Sequence, residues 1–400
     1  MTESASEESW QFLSGEVGQT HLATLRARPL EELRGVRVVS ELRASGLESN
    51  QVSALLAQAL LQKKAMTKFG ADAERMLFTQ SGLEQATRAI VAKSHATRFV
   101  NQGMHSVADL GCGIGAESRA LAAAGLDVTA VDLDPQTAVV AAFNLSSYPQ
   151  ATIEIADAEA FDATRTQALF FDPARRTSGL KNTKRLTDTA EYSPSLNFVF
   201  EMAKQKPTAL KLGPGFDHEL IPSEAEAQYT SVDGEAVETL LWFGALTDAP
   251  GARRATVFRG SAEHTLSEQG SPVDEPMRAL GEYIHEPDPA IIRARLIGSL
   301  ARTLSAGMLN EKIAYLTSDH ESETPFARTF RVREVLPASE DRLKKALRER
   351  KIGTLEIKKR GMDLDPAQLR KRLQLRGEHS ATLILTRIGQ ERCAILTDRV

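Results

Sequence analysis

The chain has 400 residues, of which 42% are hydrophobic and 26% charged, and its net charge is −4. These values predict a globular protein of two or three domains with an ample apolar core. Cys112 and Cys393 are the only cysteines, which excludes a disulfide framework and a cysteine-rich zinc site and favours a cytoplasmic protein without a metal. Neither a secretory signal nor a membrane-spanning run is expected from the sequence.

The first 100 residues have a helical pattern. Leu56 and Leu60 recur at i, i+4 on one apolar face, and Ser49 or Asn50 can cap the helix that carries them. We therefore predict an N-terminal helical cap over residues 1–100.

From about residue 105, apolar strands alternate with amphipathic helices, which is typical of a parallel sheet. The pattern predicts an α/β fold, with a Rossmann-like sheet spanning residues 101–262. Its strands are expected near 106–110, 127–132, 151–156, 167–172 and 208–213, and its helices near 116–124, 135–146 and 195–205. The segments 236–243 and 254–259 are expected to form a closing hairpin through Asp248-Ala-Pro-Gly.

The last third of the chain has a different composition. Residues 260–276 are rich in Ser, Glu, Gly and Pro and are predicted to be a linker. Beyond them, helical runs mix with a few strands, which predicts a small α+β domain over residues 280–400.

A glycine-rich turn follows the first predicted strand, in the segment Val107-Ala-Asp-Leu-Gly-Cys-Gly-Ile-Gly115. Gly111, Gly113 and Gly115 allow the backbone to turn tightly and to approach a ligand closely. Asp132 ends the second strand, where its carboxylate can accept both hydroxyls of a ribose. Because Gly111, Gly113 and Ala116 also satisfy a dinucleotide fingerprint, this spacing alone leaves a nicotinamide or flavin dinucleotide possible.

Asp109 favours a different ligand, because a carboxylate beside the turn repels a pyrophosphate and attracts an ammonium group. With this acid two residues before Gly111, the motif resembles that of class I S-adenosylmethionine-dependent methyltransferases. The resemblance implies that S-adenosylmethionine binds at the glycine turn and Asp132, with Leu133 beside the donor. Asp157 would accept the adenine amino group, and the backbone N–H of Ala158 would donate to the ring.

The fourth predicted strand ends in Phe171-Asp172-Pro173-Ala174-Arg175. This segment resembles the Asp-Pro-Pro-aromatic motif of amino-group methyltransferases, in which the Asp side chain and Pro carbonyl orient the target amine. Asp172, Pro173 and Arg175 are therefore the predicted catalytic residues. Arg175 stands in place of the aromatic ring, which weakens the case for an exocyclic amine, although a guanidinium can also stack on a base or hold a phosphate.

The segments on either side of the glycine motif point to a particular group of methyltransferases. The segment from Lys68 to Arg88, with Met76-Leu-Phe-Thr79, resembles the region ahead of the glycine motif in RNA methyltransferases of the trimethylguanosine-synthase kind. That likeness implies that Thr79 starts a helix covering the amino-acid end of the donor. Residues 283–294 and 356–373 resemble the THUMP-like domain of a bacterial methyltransferase family that shares the Asp-Pro-Ala-Arg segment. The family resemblance covers about residues 40–400 and implies an appended domain thought to bind RNA.

The C-terminal part also contains a strongly basic stretch. From Asp341 to Arg376 there are 13 Lys or Arg against five Asp or Glu, a net charge of +8. This stretch is either a phosphate-binding surface or the solvated face of amphipathic helices. The residues predicted to contact RNA are Lys344, Lys358, Lys359, Arg360, Arg370, Lys371 and Arg372.

Together these features predict a methyltransferase that acts on a nitrogen or oxygen of transfer or ribosomal RNA. Two alternatives stay open: methylation of a small anionic metabolite or a protein, and a donor-binding protein that has lost transfer activity.

Overall fold

The computed structural model describes residues 6–175, 192–270 and 273–400. The chain divides into two compact units, the first comprising Met1–Leu212 with Trp242–Asp248, and the second Gly213–Leu241 with Ala249–Val400. The N-terminal helices and the parallel sheet thus share one unit. The three-part division at residues 1–100, 101–262 and 280–400 stays a prediction.

The first unit begins with seven helices, of which the longest organises the others. The helices are α1 (Glu7–Ser14), α2 (Glu16–Arg26), α3 (Leu30–Leu33), α4 (Val36–Ala44), α5 (Ser49–Phe69), α6 (Gln80–Gln85) and α7 (Ala89–Asn101). Helices α1 to α4 all pack against α5. Glu48, rather than the predicted Ser49 or Asn50, is the N-cap of α5, and it forms a reciprocal capping box with Gln51.

Strands and helices then alternate as predicted. The elements are β1 (Ser106–Leu110), α8 (Ala116–Ala123), β2 (Asp127–Asp132), α9 (Pro135–Leu145), β3 (Ala151–Ile155), β4 (Ala168–Phe171), β5 (Ala174–Arg175), β6 (Tyr192–Ser193), α10 (Leu196–Ala203) and β7 (Thr208–Leu212). Strands β3, β2, β1, β4 and β7 lie side by side in that order and pair in parallel. Their carboxyl ends therefore meet at one edge, where open α/β sheets build their sites. This arrangement confirms the predicted Rossmann-like fold class.

The second unit starts with strands β8 (Glu226–Val232), β9 (Glu235–Phe243), β10 (Ala252–Arg259) and β11 (Ala262–Gln269), of which β9 runs on into the first unit. The predicted hairpin between residues 236–243 and 254–259 is wrong, because β10 lies between β8 and β11. The tight turn is instead Asp233-Gly234, whose φ angles of 51° and 90° join β8 to β9. Strand β11 occupies much of the stretch predicted to be a linker and pairs antiparallel with β10.

The rest of the second unit is built on a seven-stranded sheet. Its elements are β12 (Tyr283–Pro287), α11 (Pro289–Arg293), α12 (Ile297–Thr303), β13 (Gly307–Asn310), β14 (Ile313–Ser318), β15 (Ala327–Leu336), α13 (Glu340–Glu349), β16 (Ile352–Lys359), α14 (Pro366–Leu373), β17 (His379–Ile388) and β18 (Glu391–Arg399). The strand order is β13-β14-β12-β15-β18-β17-β16. Leu343 and Leu347 of α13 and Leu369 and Leu373 of α14 are buried in one core cluster with this sheet, which confirms the predicted α+β character.

Candidate functional site

The turn after β1 has the backbone that its glycines predicted. Gly111, Gly113 and Gly115 have φ angles of 94°, 54° and 78°, in the left-handed region that favours glycine. A Cβ on Gly111 would lie 3.1 Å from the carbonyl oxygen of Asp172, so this glycine permits a close backbone contact. A Cβ on Gly113 would meet no atom within 4 Å, so the turn is open to a ligand there.

Asp132 is held against this turn by backbone groups. Its Oδ2 accepts a hydrogen bond from the Gly113 N–H and its Oδ1 one from the Asp134 N–H, each at 2.9 Å. Burial is the main cause that raises the pKa of Asp132. Each carboxylate oxygen keeps a lone pair for a further donor, which is what two ribose hydroxyls require.

An exposed apolar pair lies beside Asp132. Ile155 is the parallel partner of Asp132 across β2 and β3, and it is 59% exposed. Leu133, the residue after Asp132, is 66% exposed. Leu133 was predicted to contact the donor, whereas Ile155 was missed, although it ends a strand on the binding edge. Two exposed aliphatic side chains at this place can cover the faces of a planar base.

Asp109, which was predicted to lie beside the glycine turn, is fully buried. Its side chain is 0% exposed, and its Oδ2 accepts a hydrogen bond from the Ser118 hydroxyl of α8. Its Oδ1 is buried without a partner among the described residues. Burial raises the pKa of Asp109 to about 8, against the opposing effect of the Ser118 hydrogen bond. A buried carboxyl oxygen without a partner is costly, so its presence here needs an explanation.

Thr79 lies at the start of α6, as predicted, and this helix start contacts the glycine turn. The Thr79 hydroxyl accepts a hydrogen bond from the Gly82 N–H at 2.9 Å. A Cβ on Gly82 would come within 2.3 Å of the Ile114 side chain, so a glycine is needed for this approach. The amide of Asn144 joins the two segments, since its Nδ2 donates to the carbonyls of Leu77 and Ile114 at 3.0 and 2.8 Å.

Asp157 and Ala158 follow β3 at the same sheet edge. Asp157 is exposed, and its Oδ1 accepts the Glu159 N–H at 2.9 Å, so it caps the short 3₁₀ turn Ala158–Ala160. Asp157 Oδ1 therefore has a structural role. The position of Asp157 directly after β3 still suits the predicted contact with adenine. The role of both residues stays a prediction.

Asp172 ends β4 next to the turn and forms an ion pair that the sequence analysis missed. Lys211 of β7 places its Nζ 2.5 Å from Asp172 Oδ2, and the two side chains are 12% and 38% exposed. Pro173 is buried. A lysine within the apolar strand Thr208-Ala-Leu-Lys-Leu was the available signal, because a buried ammonium requires a partner. The candidate acceptor site therefore contains a fixed carboxylate and a fixed ammonium.

Arg175 follows Pro173 in β5, which pairs antiparallel with β6, so that Arg175 is opposite Tyr192. The side chain of Arg175 lies outside the described residues. Its predicted contact with a base or a phosphate stays a prediction.

The basic C-terminal stretch is partly neutralised. Lys358 and Arg360 both pair with Glu286, at 2.7 and 3.7 Å, and Arg372 pairs with Glu340 at 3.0 Å. Lys344 donates to the Gln374 side chain, and only Lys359, Arg370 and Lys371 of the predicted set are exposed without a hydrogen-bond or ion-pair partner among the described residues. Lys358 and Arg360 are therefore paired with a carboxylate, and their predicted contact with RNA stays a prediction.

Exposed cations that have no carboxylate partner among the described residues nevertheless cover two neighbouring helices. Arg342, Lys345 and Arg348 repeat every three residues on α13, and Arg370 and Lys371 lie on α14, which packs against it. We refer to these five residues as the helical basic surface.

The described part of the chain contains no cluster of His, Cys, Asp and Glu suited to a metal ion. No helix within it is long and apolar enough to cross a membrane.

Comparisons with known proteins identify the family of the chain. The chain matches the methyltransferase domain family over residues 108–186 and the THUMP domain-like family over residues 327–399. It is 32% identical to uncharacterized S-adenosylmethionine-dependent methyltransferases of Mycobacterium tuberculosis strains CDC 1551 and H37Rv, over 84% of this chain and 92% of theirs. A crystal structure from Porphyromonas gingivalis W83, described as a methyltransferase, superposes with a TM-score of 0.76 at 19% identity, covering 100% of this chain and 99% of that one. The chain belongs to the S-adenosylmethionine-dependent methyltransferases that carry a C-terminal THUMP-like domain.

Proposed function

We propose that this enzyme transfers the methyl group of S-adenosylmethionine to a nitrogen or oxygen atom of RNA. The observation that carries the RNA assignment is the helical basic surface, because its five cations lie within the THUMP domain-like segment and have no carboxylate partner among the described residues. Phosphates bound there would displace counterions and give salt-dependent affinity.

The donor fits the residues of the first unit. Asp132 would accept the ribose hydroxyls, and Leu133 with Ile155 would cover the adenine, near Asp157 and Ala158. The open backbone at Gly113 leaves room for the donor's methionine portion. The unpartnered Oδ1 of Asp109 places a potential negative charge beneath a ligand that carries positive charge.

The acceptor would bind at Asp172. Because Lys211 occupies Oδ2, Oδ1 is left to accept an N–H or O–H of the target, and the Pro173 carbonyl can accept a second. These two hydrogen bonds would direct the target's lone pair toward the donor. The Lys211 ammonium also adds positive charge that attracts a negatively charged acceptor.

When bound, S-adenosylmethionine supplies a methyl group on a positively charged sulfur. The acceptor's lone pair forms the new bond to carbon as the carbon–sulfur bond breaks, and its electrons remain on sulfur. The protein contributes mainly alignment and proximity, since no covalent enzyme intermediate is required. The acceptor's proton leaves toward Asp172 or solvent.

The test is incubation of the purified protein with labelled donor and total RNA from a strain that lacks it, followed by nucleoside analysis. We expect label in one modified nucleoside. The Asp172→Asn variant should bind the donor nearly normally and turn over slowly, because the lost contact is with the acceptor. A matched control is Asp162→Asn, which changes an exposed acid that caps a short turn elsewhere on the sheet.

Other outcomes would contradict the RNA assignment. Label in a small-molecule or protein fraction, with none in RNA, would show that the acceptor is a metabolite or a protein. Donor binding without label in any fraction would show a protein that binds the donor but does not transfer its methyl group.

A further inference from the structure

A second group of arginines lies in the second unit, away in sequence from the helical basic surface. Arg253 of β10 directs its guanidinium Nη1 to His218 Nδ1 at 2.9 Å. The hydroxyl of Tyr229 on β8 is 3.0 Å from the same nitrogen. The His218 and Tyr229 rings stack with centroids 5.3 Å apart. Because the Arg253 guanidinium can only donate, Nδ1 accepts, so His218 is neutral and carries its proton on Nε2.

Two further arginines approach this histidine from another element. Helix α11 packs against β8 and β10, the strands that carry Tyr229 and Arg253. Arg293 is its last residue, and Arg295 follows with a left-handed φ of 57°. Both side chains are exposed, and neither forms an ion pair with a described residue.

The charges of all three guanidinium groups affect the pKa of His218. Burial is the first cause that lowers the pKa of His218 to about 4, and Arg295, Arg253 and Arg293 follow as causes in that order. Asp217 acts in the opposite direction, and its Oδ1 already accepts the Glu219 N–H at 3.1 Å. The cluster is thus a concentration of positive charge around a neutral imidazole.

Arg253 differs from the other arginines of its strand. Arg254 pairs with Glu226 at 2.6 Å, and Arg259 pairs with Asp288 at 2.8 Å. Arg253 has a neutral imidazole where its neighbours have carboxylates. Three guanidinium groups that lack carboxylates repel one another, and an anion bound between them would remove that cost. Guanidinium groups match the geometry of phosphate oxygens in particular.

We propose that Arg253, Arg293 and Arg295 form a phosphate-binding site around His218, which holds a backbone phosphate of the RNA substrate. That the phosphate belongs to RNA rests on the proposed function. That the three arginines bind a phosphate group does not depend on it. Tyr229 orients the imidazole, and the His218 Nε2–H is available as an additional donor. The site is built from other elements than the helical basic surface, and RNA would contact both.

The test uses the full chain and the exposed arginines, whose replacement does not disturb buried contacts. The Arg293→Gln/Arg295→Gln variant should bind a short RNA about tenfold or more weakly at low salt, because each lost contact is charge-assisted. Its plot of log affinity against log salt should also be flatter by about 1 to 2 units. The matched control is Arg392→Gln/Arg399→Gln, which removes two exposed arginines of β18 from the same unit. Equal RNA affinity of the two double variants, with unchanged unfolding temperatures, would overturn the proposal.

A second measurement separates this site from the proposed function. Nitrogen-15 spectra of the histidines, recorded during titration with inorganic phosphate and with chloride as control, report on His218 directly. Phosphate should raise the pKa of His218 in the wild type and in the β18 control, but not in the Arg293→Gln/Arg295→Gln variant. If the wild type binds no RNA while phosphate still raises the pKa of His218, the assignment of RNA as the ligand is wrong and the phosphate-binding site is supported. If phosphate leaves His218 unchanged, the site itself is refuted.

Discussion

Replacing Asp109 by Asn should make the protein more resistant to unfolding and poorer at binding the methyl donor. The Asp109 carboxyl is 0% exposed, and burial raises its pKa from 3.8 to about 8. Below about pH 4 the group is protonated in both the folded and the unfolded chain. Between pH 4 and pH 8 the unfolded chain releases this proton and the folded chain keeps it. Asp109 therefore lowers the free energy of unfolding progressively as pH rises through this window.

The size of the effect follows from the shift. One pKa unit corresponds to about 1.4 kcal/mol, so a shift from 3.8 to about 8 sets an upper limit of about 6 kcal/mol. Because the folded chain can relax around the charge, we expect the variant's advantage in unfolding free energy to grow by about 2–4 kcal/mol between pH 5 and pH 8. Urea unfolding at four pH values measures it. The Ser118→Ala control keeps the carboxyl but loses the hydrogen bond that lowers its pKa, so it should extend the window upward.

The same carboxyl should report donor binding. Positive charge on the bound donor favours the ionised form of Asp109, so the wild type should release a fraction of a proton at pH 7 that the Asp109→Asn variant does not release. Calorimetry in buffers of different ionisation enthalpy measures that difference, and donor affinity should fall by about tenfold. A difference in stability that does not depend on pH, together with unchanged donor affinity, would refute the assignment of Asp109 as a buried counter-charge.

Three further changes test the rest of the site. Asp132→Ala should weaken donor binding by about 1.5–3 kcal/mol in calorimetry, because the carboxylate that accepts hydrogen bonds from the ribose hydroxyls is lost. Tighter binding of NADH than of S-adenosylmethionine would contradict the donor assignment. Lys211→Gln should lower turnover more than donor affinity, since Lys211 forms an ion pair with Asp172, and Lys211→Arg should restore part of the turnover. An equal loss of turnover and of donor affinity would indicate a folding defect. Lys345→Gln/Lys371→Gln should weaken binding to unrelated RNA sequences alike and flatten its salt dependence, and affinity that does not change would make the helical basic surface a solvated face.

The parallel sheet was predictable because its signals are local. Most predicted strands from 106 to 213 are largely apolar, and the helices between them begin after N-cap residues such as Asp134 and Ser195, which adjoin them in the sequence. The wrong hairpin had a different cause. Asp248-Ala-Pro-Gly and Asp233-Gly234 are both turn sequences, but the second joins its strands with only two residues, both at positive φ. A two-residue Asp-Gly turn is the stronger hairpin signal.

The site divides in the same way between local and long-range information. The glycine turn, Asp132 and Asp172 each end a strand, so their approach to one edge follows from the parallel order. The burial of Asp109 could not be predicted, because it depends on how closely α8 packs over the end of β1 and on Ser118, nine residues later. The pairing of Asp172 with Lys211 joins positions 39 residues apart and is decided by the adjacency of β4 and β7.

Charge counting failed in the C-terminal stretch for a related reason. The net charge of +8 belongs to one continuous window of sequence, but Glu286 lies outside that window and pairs with both Lys358 and Arg360. Lys358 is only 13% exposed, so its ammonium is held by that pair. Conversely, Arg253, Arg293 and Arg295 come from two separated segments that no window joins, although the charges of all three affect the pKa of His218. The local density of charge in the sequence therefore overestimates a phosphate-binding surface where acids from distant segments pair with its cations. It also misses a group of cations that comes from separate segments.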